Sequence, residues 1–144
     1  MNTKIENTGL TNNNIIFTNY NMIVNLSQIT PTRIIAALVT LLVLDSLWFS
    51  ISLKRVYPQF NNVKIAWGLL AWIPLAIAIA SANPDSTTSA IQWGAAVGFT
   101  TYAVFNGTEI AIRPDWTPTI GIIDLAWGSF ASSIAAYTLY TLKI

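Results

Sequence analysis

Residues 34–53 read IIAALVTLLVLDSLWFSISL, twenty residues that carry a single charge, Asp45. A helix needs roughly 17 to 25 apolar residues to cross the hydrocarbon of a bilayer. Three further stretches of the same kind follow, Ile65 to Ala82, Ser89 to Ile112 and Thr119 to Leu142. Backbone amides find no water inside a bilayer, so only helices and closed barrels cross it, and long runs without strict alternation are helical. The pattern predicts an all-α fold, an integral membrane bundle of four transmembrane helices over residues 32–144. Residues 1–31 form a separate polar segment ahead of it.

The intervening residues agree with this division. Thr30 or Thr32 is placed to cap the first helix beside Pro31, and Tyr57-Pro58 ends the first crossing. Asn83-Pro84-Asp85-Ser86 reads as a tight turn, and Arg113-Pro114-Asp115-Trp116-Thr117-Pro118 as the last connection. The first 31 residues are Asn-rich, with eight Asn by position 25 and only short apolar patches. Such composition buries too little surface to fold alone, and it lacks the basic start and continuous apolar stretch of a signal peptide. A mobile or partner-ordered tail is the expectation.

Composition excludes several chemistries. Of 144 residues, 53% are hydrophobic and 9% charged, far fewer charges than the quarter or so usual in a soluble domain. Seven basic against six acidic side chains give +1, no field for holding a nucleic-acid backbone, so nucleic acid is not an expected partner. Cysteine and histidine are both absent, which removes disulfides, the usual zinc sites, His-ligated haem and imidazole proton transfer. No cofactor and no metal are expected, and any acid-base work falls to carboxylates.

Four crossings put both termini on one side of the membrane. The opposite side carries Lys54, Arg55, Lys64 and Arg113, against Arg33 and Lys143, so the positive-inside rule predicts that this more basic side is cytoplasmic. Trp67, Trp116 and Tyr57 fall near that side, and Trp93, Tyr137 and Tyr140 near the other, as interfacial anchors do. Gly94 and Gly98 form one small-residue ridge and Gly128, Ser132 and Ala136 another, which lets helix backbones approach closely. Pro74 removes a ladder hydrogen bond from the second helix and predicts a kink near Leu70, a place for a hinge.

Three acids fall inside the predicted spans, Asp45, Glu109 and Asp124. Each costs about 2.5–3.5 kcal/mol to insert, so each must face the bundle interior. At 1.5 Å per residue, Asp45 lies roughly 12 Å from the basic side, Asp124 roughly 10 Å, Asn106 roughly 9 Å and Glu109 roughly 5 Å. Polar groups from three helices thus meet at one depth. Tyr102, Asn106 and Glu109 make a single stripe on the third helix, and Glu109 also has Arg113 at i+4 as an ion-pair partner. Asp45 and Trp48, like Asp124 and Trp127, share an Asp-x-x-Trp spacing that stacks an indole one turn beyond each acid, where its N–H can donate to a carboxylate. The two motifs run antiparallel, a hint of an inverted repeat.

At these residues the chain resembles the small membrane proteins grouped as the domain-of-unknown-function family 2177. The likeness runs over residues 34–142. It rests on Leu44-Asp45-Ser46-Leu47-Trp48, on Gly98 and Tyr102 through Glu109 to Trp116, and on Ile123-Asp124-Leu125-Ala126-Trp127-Gly128. Where the family typically has Tyr-Asp-x-Thr-Asn in the third helix, this chain has Phe105-Asn106-Gly107-Thr108-Glu109, so acid and amide change places and the charge moves one turn outward. The resemblance implies a four-helix membrane protein and brings no established substrate, cofactor or catalytic residue.

The leading expectation is a multi-pass membrane protein in which Asp45, Asp124, Asn106, Glu109, Trp48, Trp127 and Tyr102 bind or move a proton, a cation or a small polar solute. A narrow bundle of four helices would need homo-oligomerisation to build a conduction path. The alternative is a structural membrane subunit of a virion or a large membrane assembly, held through the tail and the small-residue ridges. The chain is not expected to be an enzyme. An intramembrane hydrolase with paired acids is a distant third reading, because Gly121-Ile122-Ile123-Asp124 only loosely resembles the Gly-x-Gly-Asp of membrane aspartyl proteases.

Overall fold

The computed structural model describes residues 26–52 and 65–144. The Asn-rich segment up to position 25, the Tyr57-Pro58 turn and the basic residues Lys54, Arg55 and Lys64 lie outside the described residues. A single 3-10 turn, Leu26–Gln28, precedes four helices: α1 (Pro31–Ser52), α2 (Ile65–Ala80), α3 (Thr87–Ile112) and α4 (Pro118–Leu142). Among the described residues there is no strand.

The helix boundaries follow from local chemistry. Pro31 opens α1, where a missing N–H costs nothing, and the Arg33 amide donates to the Thr30 hydroxyl at 3.3 Å. Ser86 caps α3 through a reciprocal pair with Ser89, so the helix starts at Thr87, two residues before the sequence-based boundary. Thr117 caps α4, with Pro118 in its first turn, and Lys143 ends it in the left-handed region at φ 54°. α2 runs through Pro74 without interruption and ends at Ala80.

The bundle is built inside out relative to a water-soluble protein. Its core is small and rich in alanine, with Ala37, Leu41, Ala76, Ile79, Ala131, Ala135 and Leu139 at the centre. The large apolar side chains point outward instead. On α1, Ile35, Val39, Val43, Leu47 and Ile51 form an exposed stripe at four-residue spacing, and the other helices expose Trp67, Leu70, Ile73, Phe99, Val104, Ile122 and Phe130. The buried set includes Arg33, Asp45, Ser52, Asn106, Asp124 and Ser132. Among the described residues, α1 and α4, of 22 and 25 residues, are the two helices long and apolar enough by themselves to cross a bilayer.

α3 and α4 form the most intimate pair, and α1 lies against both α4 and α2. Glycine makes the α3–α4 approach: a Cβ at Gly94 would run into the backbone of Ser132 and Ser133, and one at Gly98 into the Gly128 carbonyl. Backbone approach of this kind brings many atoms into contact and holds the pair through dispersion.

Candidate functional site

Asn106 is the hub of the α3–α4 side. It is 3% exposed, and its amide nitrogen donates to the Asp124 carboxylate (Oδ2) at 2.9 Å and to the Tyr102 carbonyl at 2.8 Å. Its amide oxygen accepts from the Trp116 indole nitrogen at 2.9 Å. One side chain thus ties together an acid on α4, the backbone of α3 and the loop between the two helices. Trp116 is buried, meets Phe105 edge to face, and lies under the Arg113 guanidinium at 5.5 Å.

Asp45 enters from α1. It is 2% exposed, and its Oδ1 accepts a hydrogen bond from the Trp127 indole of α4 at 2.7 Å. Trp48 stacks on that indole with the rings nearly parallel, 9° apart, and 4.7 Å between centroids. Asp45 and Asp124 lie within electrostatic reach of each other, and Tyr102 and Trp72 complete the surroundings of Asp45 from α3 and α2. The Tyr102 ring covers Gly128, where any Cβ would collide with it. Four helices therefore contribute to one polar centre.

The inner face of α1 carries a different feature. Asp45 Oδ2, Trp48 Nε1 and Ser52 Oγ are buried and have no hydrogen-bond partner. They follow at i, i+3 and i+7, which puts them on one helical face running toward the end of α1. Buried polar groups are satisfied in the great majority of cases, so three orphans in one line need a reason.

Two arginines close the ends of the bundle. Arg113 bonds Glu109 at 3.0 Å and Asp115 at 2.7 Å beside Trp116. The Arg113 guanidinium, by its hydrogen bond, holds the Asp115 carboxyl below the usual carboxylate range. At the other end Arg33 is buried and donates to the carbonyls of Ala80 (3.1 Å), Ala82 (2.6 Å) and Ile144 (2.8 Å) and to the Gln28 side chain (3.1 Å). Carbonyls at a helix C-terminus carry partial negative charge, so a guanidinium there both satisfies them and is stabilised by them.

Of the seven residues singled out from sequence, Asp124, Asn106 and Tyr102 meet directly, and Asp45, Trp127 and Trp48 form a second set against them. Glu109 stands apart, engaged with Arg113. The indole-to-acid bond crosses between helices: Trp127 donates to Asp45 of α1 and not to Asp124 of its own helix. Trp48 does not return the gesture, so the echo between the two Asp-x-x-Trp motifs is broken at the bonding level. Sequence reasoning assigned Trp116 to the interfacial belt and passed over Trp72 and the bonding role of Arg33. Only Arg33 had a signal of its own, a charge beside an apolar segment.

Among the described residues no three acids come together as a metal-binding group. Facing the carboxylates are an indole N–H and an amide N–H, donors that suit a negative oxygen or a group that exchanges a proton. No curated protein and no solved structure matches the chain. A family model, described as "Predicted membrane protein (DUF2177)", matches residues 31–141, a span that holds α1 to α3, all but the last residue of α4, and every residue of the polar centre. The chain belongs to the DUF2177 family of predicted membrane proteins.

Proposed function

We propose that the protein crosses the bilayer four times and that its Asp45–Asp124 centre binds and releases a proton, as a small proton-coupled membrane carrier or channel subunit. The observation that carries the reading is Asp45 itself: a carboxylate 2% exposed, with Oδ1 bonded to Trp127 and Oδ2 in no well-formed hydrogen bond although the Trp72 indole faces the carboxyl, beside a second buried acid. Two buried acids within electrostatic reach in one polar centre, one of them with a carboxylate oxygen left open, are groups that can take up and release a proton. A hard cation would require several oxygen ligands, whereas this centre turns nitrogen donors toward its acids. Apolar outer faces on all four helices support four crossings, including the 16-residue α2. The basic side, toward Arg113, is then the cytoplasmic one.

Bond cleavage is not part of the proposal, since Trp127 and Asn106 each occupy one carboxylate oxygen that a pair of catalytic acids would turn to a shared water. The test is proton flux into vesicles loaded with a pH-sensitive dye. Wild-type protein is expected to dissipate an imposed pH gradient, and the Asp45→Asn and Asp124→Asn variants, folded and inserted, to lose this. Equal flux in all three, or none in any, overturns the reading. A structural role in a virion or membrane assembly remains the second reading, with stable stoichiometric co-purification of a partner as its mark.

A further inference from the structure

The orphan stripe of α1 deepens this reading and rests on it. Asp45 Oδ2 accepts, Trp48 Nε1–H donates, and the Ser52 hydroxyl does both, so the three form a row of unpartnered donors and acceptors on one helical face over two turns, about 10 Å along the axis. Asp45 and Ser52 are each 2% exposed, so neither is satisfied by lying in a wet surface layer. The stripe starts at the buried acid and ends at the last residue of α1.

The alternative way in, along α3 and α4, is obstructed. Trp116 is buried across it with its indole fixed to Asn106, and Arg113, Glu109 and Asp115 bond one another above it. Groups facing Asp45 from the neighbouring helices are Asp124 and Trp127 of α4, Tyr102 of α3 and Trp72 of α2, and among these Asp124 is the one acid.

We infer that Asp45, Trp48 and Ser52 line a narrow water track that delivers protons to Asp45 from the side on which α1 ends. The ligand is water, which can donate to Asp45 Oδ2, accept from Trp48 and exchange with Ser52, giving each orphan the bond the protein withholds. A proton arriving along the file forms an O–H bond at Oδ2 as the last water gives up its extra proton, and departure reverses the step. Trp48 donates only, so it orients water without relaying. Ser52, able to donate and accept together, relays.

Hydrogen–deuterium exchange of the indole N–H groups tests this on the wild-type chain in bilayer nanodiscs, read by nitrogen-15 spectra. The Trp48 indole is expected to exchange at least about tenfold faster than those of Trp127 and Trp116, which are bonded to Asp45 and Asn106. Protection of Trp48 equal to theirs overturns the track. A second measurement follows Asp45 protonation after a pH jump by its carboxyl infrared band: Ser52→Val is expected to slow it several-fold at an unchanged midpoint, and an unchanged rate overturns the track. The two proposals fail separately. Flux with a protected Trp48 sinks the track alone, and rapid Trp48 exchange without flux sinks only the carrier reading.

Discussion

On the α3–α4 side of the bundle most buried polar groups close on one another: Asn106 serves Asp124, Tyr102 and Trp116, and Arg113 holds Glu109 and Asp115, with the Ser132 hydroxyl against Gly98 the one orphan among the described residues there. The inner face of α1 presents Asp45, Trp48 and Ser52 with one unmatched atom each. The two regions differ in what their polar residues do for the fold. Those between α3 and α4 lock a close helix pair, and removing one leaves its partners stranded. On α1, Asp45 and Trp48 hold Trp127 through one bond and one stacking contact, while the Ser52 hydroxyl and the second polar atom of Asp45 bond nothing in the protein and are better explained by something that visits them.

The largest expected effect strikes the locked side. Gly94→Val places a side chain against the backbone of Ser132 and Ser133, which cannot step aside as a flexible side chain would. Forcing α3 from α4 should cost about 3 kcal/mol, measured by denaturant titration in micelles. Next comes Asn106→Leu, which keeps the branched shape and strips the Asp124 and Trp116 partners, at about 1–3 kcal/mol in the same assay. Ser52→Ala, equally buried, should stay within about 0.5 kcal/mol of wild type because no protein bond is lost. If Ser52→Ala costs as much as Asn106→Leu, the distinction between the two regions collapses.

The difference between these regions also decides how far the sequence could be read. Four helices were legible from their long apolar runs, and their ends moved by one to three residues: Ser86 and Ser89 extend α3 back to Thr87, while α2 stops at Ala80, two residues short of the expected end. The meeting of Asn106 with Asp124 was legible because depth along a helix is simple arithmetic from its loop. The Glu109–Arg113 ion pair was legible from its i, i+4 spacing. Partner choice across helices was not. A period places Trp127 on the inner face and leaves open which acid it finds there, and that is settled by the rotation of α1 against α4. Trp116 had no periodic signal at all, since it lies in a connection and reaches Asn106 only once α3 and α4 have closed.

The smallest effect belongs to the ion pairs over Trp116, and it tests whether the obstruction there is held by charge or by shape. Arg113 depresses the Asp115 carboxyl in the folded chain, so the pair stabilises the fold above the ordinary carboxylate pKa of about 4 and loses that contribution as pH falls through the lower folded value. Asp115 is exposed, so salt should weaken the pair as well. Asp115→Asn is therefore expected to lower the midpoint of thermal unfolding slightly at pH 7 in low salt. The gap to wild type should vanish on acidification and in high salt, with Trp116 fluorescence unchanged throughout. Trp116 is held by its bond to Asn106 and its contact with Phe105, and neither depends on Asp115. A shift in Trp116 emission in the variant would mean that charge keeps the indole in place, and the α3–α4 side would then be a gate sensitive to pH and not a fixed wall.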